Sequence, residues 1–261
     1  MLATRRAYGL LAGVLVAGLA LGGCQSTVAG RATAAPMAAS PDPAGGSPLP
    51  AATGSPPGSP GHAPRATRGP CHYAETTTTL ADPANQDAGL PPDPDPTPAS
   101  GTQPVTLSTN RGIIVIALDR ARAPCAVQSF LYLVGQRFYD GTPCHRVSNT
   151  QPDGLGVLQC GAPGGHANGG PTYQYAEENL ASADYSTRVV AMANGGKGTT
   201  GSQFFIMHED APELTKSYSV IGRVAAGFDV VTAVAAAGSD HTNQAGGGAP
   251  KRPITIVTAR G

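Results

Sequence analysis

Three clusters hold the side chains best suited to chemistry: Phe138-Tyr-Asp-Gly-Thr-Pro-Cys-His-Arg-Val147, Leu158-Gln-Cys-Gly-Ala-Pro163 running into a glycine-rich loop, and Val190-Ala-Met-Ala-Asn194 followed by Gly201-Ser-Gln-Phe-Phe-Ile206. None fits a common hydrolase, kinase or dinucleotide template. The set offers a permanently charged guanidinium with a rigid fork of donors at Arg146, and carboxamides at Gln159 and Gln203. It also offers two adjacent phenylalanines, Phe204 and Phe205, which in a strand project to opposite faces, so that only one need be core. Such groups suit electrostatic stabilisation of a bound group better than nucleophilic attack. An arginine alone would read as a surface strand residue in a salt bridge; His145 beside it and Gln203 further along favour a site. No C-x-x-C or H-x-x-x-H spacing occurs, so neither a metal nor a cofactor is expected.

Strands and turns must hold these residues. Val105 to Thr109 alternates apolar and polar residues, Asn110-Arg111-Gly112 reads as a turn, and Ile113 to Leu118 is a β-branched run, which predicts a hairpin. After Ala123-Pro124 the apolar Val127, Phe130, Leu131 and Val134 recur at helical spacing as far as Gly135. Short apolar segments predict strands around Cys144 to Val147, Val157 to Cys160, Val189 to Ala193, Phe204 to Met207 and Val220 to Val224, with a last strand at Ile254 to Thr258. A second helical pattern covers Phe228 to Ala236. Many short strands with two helices predict a mainly β fold, a closed antiparallel barrel whose open ends the helices cap, which removes exposed edges.

The rest of the chain has another character. Its 17 basic and 17 acidic side chains cancel, and Lys and Arg cluster only at the extreme N-terminus, so there is no electrostatic footprint for nucleic acid. Residues 25–102 are rich in proline and poor in large apolar side chains, which predicts a disordered tether and leaves one domain over 103–261. At the start, Arg5 and Arg6 precede an apolar run from Leu10 to Leu21 that is short for a membrane span and closes at Leu21-Gly22-Gly23-Cys24. This resembles a bacterial lipoprotein signal over residues 1–24. The resemblance implies that Cys24 carries the lipid anchor and that the protein sits on the extracytoplasmic face of the cell membrane; an ordinary secretory signal or an uncleaved anchor helix are the alternatives. Export favours oxidised thiols, and Cys71, Cys125, Cys144 and Cys160 allow three pairings, among which the sequence alone does not choose.

Taken together, the three clusters resemble the cyclophilins, whose strings read approximately F-Y-D-G-x-x-F-H-R-V, Q-G-G-D and M-A-N-A-G-x-x-x-x-G-S-Q-F-F-I. The similarity runs from about Val105 to Ala259 with the order and spacing of the later motifs kept. It implies an eight-stranded barrel with a proline-binding pocket on its outer face, and a peptidyl-prolyl cis/trans isomerase acting on proline-containing segments of exported proteins. Rotation about an X-Pro bond breaks amide resonance over a barrier of about 18–20 kcal/mol. No proton need be transferred, so His145 reads as a structural hydrogen-bonding residue. By family position Arg146, Gln159 and Phe205 are the catalytic group. Leu155, Val157, Ala193, Asn194, Gln203, Leu214 and Tyr218 bind substrate, Asn194 doubling as a turn residue. The strands bearing Cys144 and Cys160 are antiparallel neighbours in the family, which implies a Cys144–Cys160 disulfide and leaves Cys71 for Cys125.

The chain departs from the pattern in places. Ser148 to Gly156 is longer than usual, Leu155 stands in for a pocket phenylalanine, and Val157 replaces a methionine. Glu213 stands where some members carry a tryptophan that contacts cyclosporin, and Tyr218 where they carry a histidine, so activity is expected to survive while cyclosporin binds weakly. The rival reading is a non-catalytic module that keeps peptide recognition without turnover. Monomer is the default assembly.

Overall fold

The predicted hairpin forms from β2 (Thr102–Thr109) and β3 (Gly112–Asp119), paired residue for residue from Thr102↔Asp119 to Thr109↔Gly112. In this computed structural model residues 62–165 and 167–261 are described. The signal segment with Cys24, and the tether as far as residue 61, lie outside the described residues. Ahead of the hairpin come β1 (Ala74–Glu75) and α1 (Thr77–Ala81). After it follow α2 (Pro124–Gly135), β4 (Thr142–Pro143), β5 (Arg146–Ser148), α3 (Thr150–Asp153) and β6 (Val157–Cys160). The chain continues through β7 (Tyr173–Gln174), β8 (Val189–Met192), β9 (Phe204–Met207), β10 (Val220–Ala226), α4 (Phe228–Ala237) and β11 (Thr255–Arg260).

Nine of these strands form one antiparallel sheet in the order β4-β11-β2-β3-β10-β8-β9-β6-β5. Its two ends, β4 and β5, are separated in the chain by Cys144 and His145 alone. Laid flat, nine strands at about 4.8 Å spacing would hold the ends roughly 38 Å apart, whereas three trans peptides reach at most about 11 Å. The sheet therefore curls round until its ends meet. The expected closed eight-stranded barrel is not confirmed: the curled sheet has nine strands, the span Cys144 to Val147 where one strand was predicted holds the Cys144-His145 connection and the start of β5, and the chain itself, rather than a ladder of hydrogen bonds, joins β4 to β5. Two of the four disulfide-bonded cysteines sit there, because Cys144 in the connection is bonded to Cys160 at the end of β6.

Both faces of the strands are covered on one side of the sheet, which explains why β6, β8 and β9 read as unbroken apolar runs. Leu158, Val190, Met192, Phe204 and Ile206 enter the main core beneath α2 and α4. Their neighbours Val157, Val189, Ala191, Phe205 and Met207 form a second, smaller cluster on the outer face with Tyr185 and Val220.

The structure also differs from expectation between residues 62 and 102, where a tether was predicted. This stretch packs on the domain. β1 pairs with β7, and the Tyr73 ring is fully buried, meeting Tyr173 and Tyr175 edge to face at 5.8 and 5.3 Å. The Tyr73 hydroxyl donates to the Cys125 carbonyl at 2.7 Å, and the Asp93 carboxylate accepts from the backbone N–H groups of Cys71 and His72, both at 3.0 Å. The Cys71–Cys125 disulfide fastens it to α2. Counting apolar residues misses such a segment, because one aromatic anchor, one crosslink and a few carboxylate caps satisfy it, and its prolines leave less backbone entropy to lose.

The Cys71–Cys125 crosslink closes 54 residues. A loop of that length corresponds to about 4 kcal/mol of lost unfolded-state entropy. The Cys71→Ser/Cys125→Ser double variant is therefore expected to unfold several degrees lower in a thermal melt and to be cleaved between residues 62 and 102 by trace protease; an unchanged melt and digestion pattern would show that noncovalent contacts alone hold the segment.

Candidate active site

One row across four strands places the chemistry. In the register of the sheet Arg146 on β5 faces Gln159 on β6, Gln159 faces Phe205 on β9, and Phe205 faces Ala191 on β8. Residues directly opposite one another across a sheet point to the same face. A guanidinium, a carboxamide and an aromatic ring are thereby set side by side on the outside of the curled sheet, while Phe204 turns into the core.

Arg146 is 8% exposed, yet no carboxylate ion-pairs with it among the described residues. Its Nε donates to the Gly246 carbonyl at 2.8 Å, one terminal nitrogen to the Ala245 carbonyl at 2.8 Å, and the other to Gln159 Oε1 at 3.0 Å. The cation is held by three neutral oxygens, so it is fixed without being cancelled. Five donors less three leaves one N–H on each terminal nitrogen for a ligand. Burial draws its pKa below the ordinary value, with Tyr218 and then Asp153 acting the other way, and the group stays charged at any physiological pH. Gln159 passes the polarity on: its Nε2 donates to Gln203 Oε1 at 2.8 Å, and Gln203 Nε2 donates to the carbonyls of Ala167 and Gly169, both at 2.8 Å.

Arg146, Leu155, Val157, Gln159, Ala193, Asn194, Phe205, Leu214 and Tyr218 line one cavity of about 180 Å³, joined by Ala245. All the sequence-predicted site residues outside the signal segment are thus brought together, except that Gln203 stands one hydrogen bond behind the wall. Phe205, 5% exposed, forms the floor, with Tyr218 edge to face at 5.4 Å. Tyr185 backs both rings, its hydroxyl accepting from the Tyr218 N–H and donating to the Tyr218 carbonyl, each at 3.0 Å. Asn194 holds its own turn, giving Nδ2 to the Ser217 carbonyl at 2.7 Å and accepting the Gly196 N–H at 3.2 Å. His145 departs from its expected part: its buried Nδ1 has no hydrogen-bond partner among the described residues. Burial, aided by the Arg146 charge, lowers its pKa to about 4, so it is neutral near pH 7. A larger cavity of about 400 Å³ adjoins this one but contains neither Arg146 nor Phe205, and the smaller is where a cation meets an aromatic floor.

Sequence reasoning missed the loop that grips the guanidinium. Residues 240–249 supply the Ala245 and Gly246 carbonyls, and they are braced by the unusual segment Ser148 to Gly156. Asp153 Oδ1 pairs with His241 Nδ1 at 2.9 Å, and its Oδ2 accepts from the Asn149 N–H at 3.1 Å. Burial opposes these bonds, yet they hold the Asp153 pKa below the usual carboxylate range. Gly246, at φ +88°, lies so close that a Cβ would stand 2.6 Å from the Asp153 carbonyl oxygen. The run Gly246-Gly247-Gly248 was the available signal, since consecutive glycines mark a close backbone approach.

The model for the family described as cyclophilin type peptidyl-prolyl cis-trans isomerase/CLD matches residues 104–260, and the chain belongs to that family. It is 40% identical over 167 residues to a Mycobacterium tuberculosis protein named probable peptidyl-prolyl cis-trans isomerase B, covering 59% of this chain and 52% of that one. It is 39% identical over 149 residues to the peptidyl-prolyl cis-trans isomerase B of Streptomyces anulatus, covering 50% and 82%. The chain therefore spans about half the length of the mycobacterial relative. Among solved structures, a Cryptosporidium parvum cyclophilin type isomerase determined in the presence of the dipeptide Ala-Pro is 27% identical, with a TM-score of 0.52, covering 60% of this chain and 97% of that one.

Asp153→Ala should loosen the 240–249 loop and with it the guanidinium. The expected result is a roughly tenfold fall in kcat on a proline peptide, from losing hydrogen bonds to a charged group worth about 1.5–3 kcal/mol, with KM little changed and Asp153→Asn intermediate. Full kcat in Asp153→Ala would show that the brace is irrelevant to the site.

Proposed function

We propose that this protein is a peptidyl-prolyl cis/trans isomerase acting on X-Pro bonds of exported proteins, tethered by lipid on Cys24 at the outer face of the cytoplasmic membrane. One observation carries the catalytic reading: a buried, unneutralised guanidinium with free N–H groups stands in the same cavity as an aromatic floor. The proline ring lies on Phe205 between Leu155, Val157, Leu214 and Tyr218. As the imide twists, its nitrogen loses conjugation and turns pyramidal, and its lone pair becomes an acceptor that the planar ground state lacks. An Arg146 N–H aimed there stabilises the twisted form more than either planar isomer, which is what catalysis requires. No bond is made or broken and no proton moves, in keeping with a site that has a cation, carboxamides and rings but no nucleophile paired with a base. Leu155 in place of an aromatic wall still offers the ring an apolar surface. The site is complete within one chain, which supports action as a monomer.

The anchoring reading rests on sequence: Arg5 and Arg6, the apolar run from Leu10 to Leu21, and Gly22-Gly23 immediately before Cys24. The two disulfides, Cys71–Cys125 and Cys144–Cys160, suit an oxidising compartment.

In a protease-coupled assay with an alanyl-prolyl peptide, the full chain should accelerate isomerisation. Arg146→Ala should lose about 10²–10³ in kcat/KM, the usual effect of deleting one preorganised donor, and Arg146→Lys should recover little of it, because an ammonium lacks the fork. A folded wild type that binds the peptide without accelerating it would make this a binding module instead. Separately, the chain expressed in a bacterial host should partition with membranes and incorporate labelled fatty acid, and Cys24→Ser should abolish both; labelling that survives the substitution would refute the anchor.

A further inference from the structure

The glycine-rich loop that receives the last hydrogen bond of the site is gripped by residues outside the family match. Gln203 Nε2 ends the relay from Arg146 on the carbonyls of Ala167 and Gly169. Those carbonyls must stay in place for the relay to keep its direction, because a carboxamide that loses its acceptors is free to turn over. A loop built on glycines does not supply that rigidity, since glycine has the widest backbone freedom of any residue.

Residues 76–87 supply it, whereas the family match begins at residue 104. Gly169 lies so close to this segment that a Cβ there would stand 2.8 Å from the Ala84 carbonyl oxygen, with Pro163 Cδ at 3.2 Å. Beyond it, the Gly170 carbonyl accepts the Gln86 N–H at 2.9 Å, the Thr172 carbonyl accepts the Thr79 hydroxyl at 2.6 Å, and the Thr172 hydroxyl donates to the Asp87 carboxylate at 3.2 Å. β1 extends the contact by pairing with β7. Thr79 is the centre of the grip. It is buried, its hydroxyl lies nearer the Thr172 carbonyl than the Thr76 carbonyl at 3.0 Å, and it accepts from the Thr76 N–H at 2.8 Å. Asn85 Nδ2 donates to the Thr79 carbonyl at 2.9 Å, which ties the two halves of the segment together. The segment is anchored away from the loop as well, by the Cys71–Cys125 disulfide and the Tyr73 hydroxyl, so it is a fixed support rather than a passenger of the loop.

We propose that Thr79 is a positioning residue for the reaction: through the glycine-rich loop it holds the Gln203–Gln159 relay, and with it the plane of the Arg146 guanidinium, in the orientation used on the twisted imide. The inference rests on the isomerase reading of the site. Thr79 does not line the cavity that holds Arg146 and Phe205, so its effect falls on the cation and not on the apolar walls around the proline ring. Losing the hydroxyl therefore lowers kcat and leaves KM nearly as it was.

The test uses the full chain and an alanyl-prolyl peptide. Thr79→Val keeps the shape and removes the hydroxyl, and it is expected to lower kcat about fivefold, the size of one hydrogen bond worth ~1 kcal/mol. KM should change by less than about twofold, and Thr79→Ser, which keeps the hydroxyl, should stay close to the wild type. In a Gln159→Ala background the relay is already cut, and Thr79→Val should cost nothing further. The same loss in that background would mark a general effect on the fold and overturn the proposal, as would full kcat in the single variant. Should Thr79→Val not fold, Asp87→Ala decides: it frees the Thr172 hydroxyl from an exposed position, a roughly twofold fall in kcat is expected, and an unchanged kcat overturns the proposal. The side-chain NH2 signals of Gln159 and Gln203 in NMR spectra need no turnover, and in Thr79→Val both should shift and exchange faster with solvent. Unchanged signals overturn the grip on the relay, whereas a wild type that turns over no peptide overturns the isomerase reading and leaves the signals to decide the grip.

Discussion

A guanidinium held by neutral oxygens is the constraint on which the rest of this structure turns. A carboxylate partner would be the simplest way to keep an arginine 8% exposed, but it would cancel the field that gives the group its use. Three carbonyl-type oxygens, from Ala245, Gly246 and Gln159, instead fix the plane of the fork while leaving the positive charge unspent. The cost of burying an unpaired charge then has to be met by the rigidity of whatever presents those oxygens. This accounts for two features that otherwise look incidental: a loop with three successive glycines that can approach β5 closely, and an Asp153–His241 pair that binds that loop to the segment following β5.

The curled sheet supplies the other half of the constraint. Because β5, β6, β9 and β8 are neighbours, one cross-strand row carries Arg146, Gln159, Phe205 and Ala191 on the same face, with spacing set by backbone hydrogen bonds rather than by side-chain preference. The opposite face of the same strands fills the main core with Leu158, Phe204 and Ile206. A shift of one residue in register would exchange these two sets, burying the guanidinium in the core and exposing the core residues to water. Packing and chemistry thus select the same alignment.

Much of this was legible in the residues and some was not. β6 and β9 run over the residues that their apolar patterns predict, because strands buried on both faces announce themselves as unbroken apolar runs. The segment from Cys144 to Val147 misled, since apolar character cannot reveal that a chain crosses from one end of a sheet to the other. The adjacency of Phe204 and Phe205 foretold their division between core and site. Nothing in composition foretold that residues 62–102 would pack, because their order comes from a crosslink, a single buried tyrosine and the Asp93 carboxylate, which bonds backbone N–H groups 21 and 22 residues away. Backbone carbonyls are invisible to any reading by residue type, so Ala245 and Gly246 had no signature beyond the neighbouring glycines.

The direction of the hydrogen-bond chain behind the site follows from the arginine alone. A guanidinium has donors and no acceptor, so Gln159 must turn its oxygen toward Arg146, which leaves its nitrogen facing Gln203. Gln203 must then accept, and its own nitrogen can be satisfied only by acceptors further out. The glycine-rich loop meets that demand with two carbonyls, those of Ala167 and Gly169. A loop that presents carbonyls inward has to be held from outside, and residues 76–87 hold it through Gln86, Thr79 and Asp87. The orientation of one arginine side chain therefore propagates to a segment ahead of the family's domain, and a chain that lacked this segment would need another way to keep those carbonyls in place.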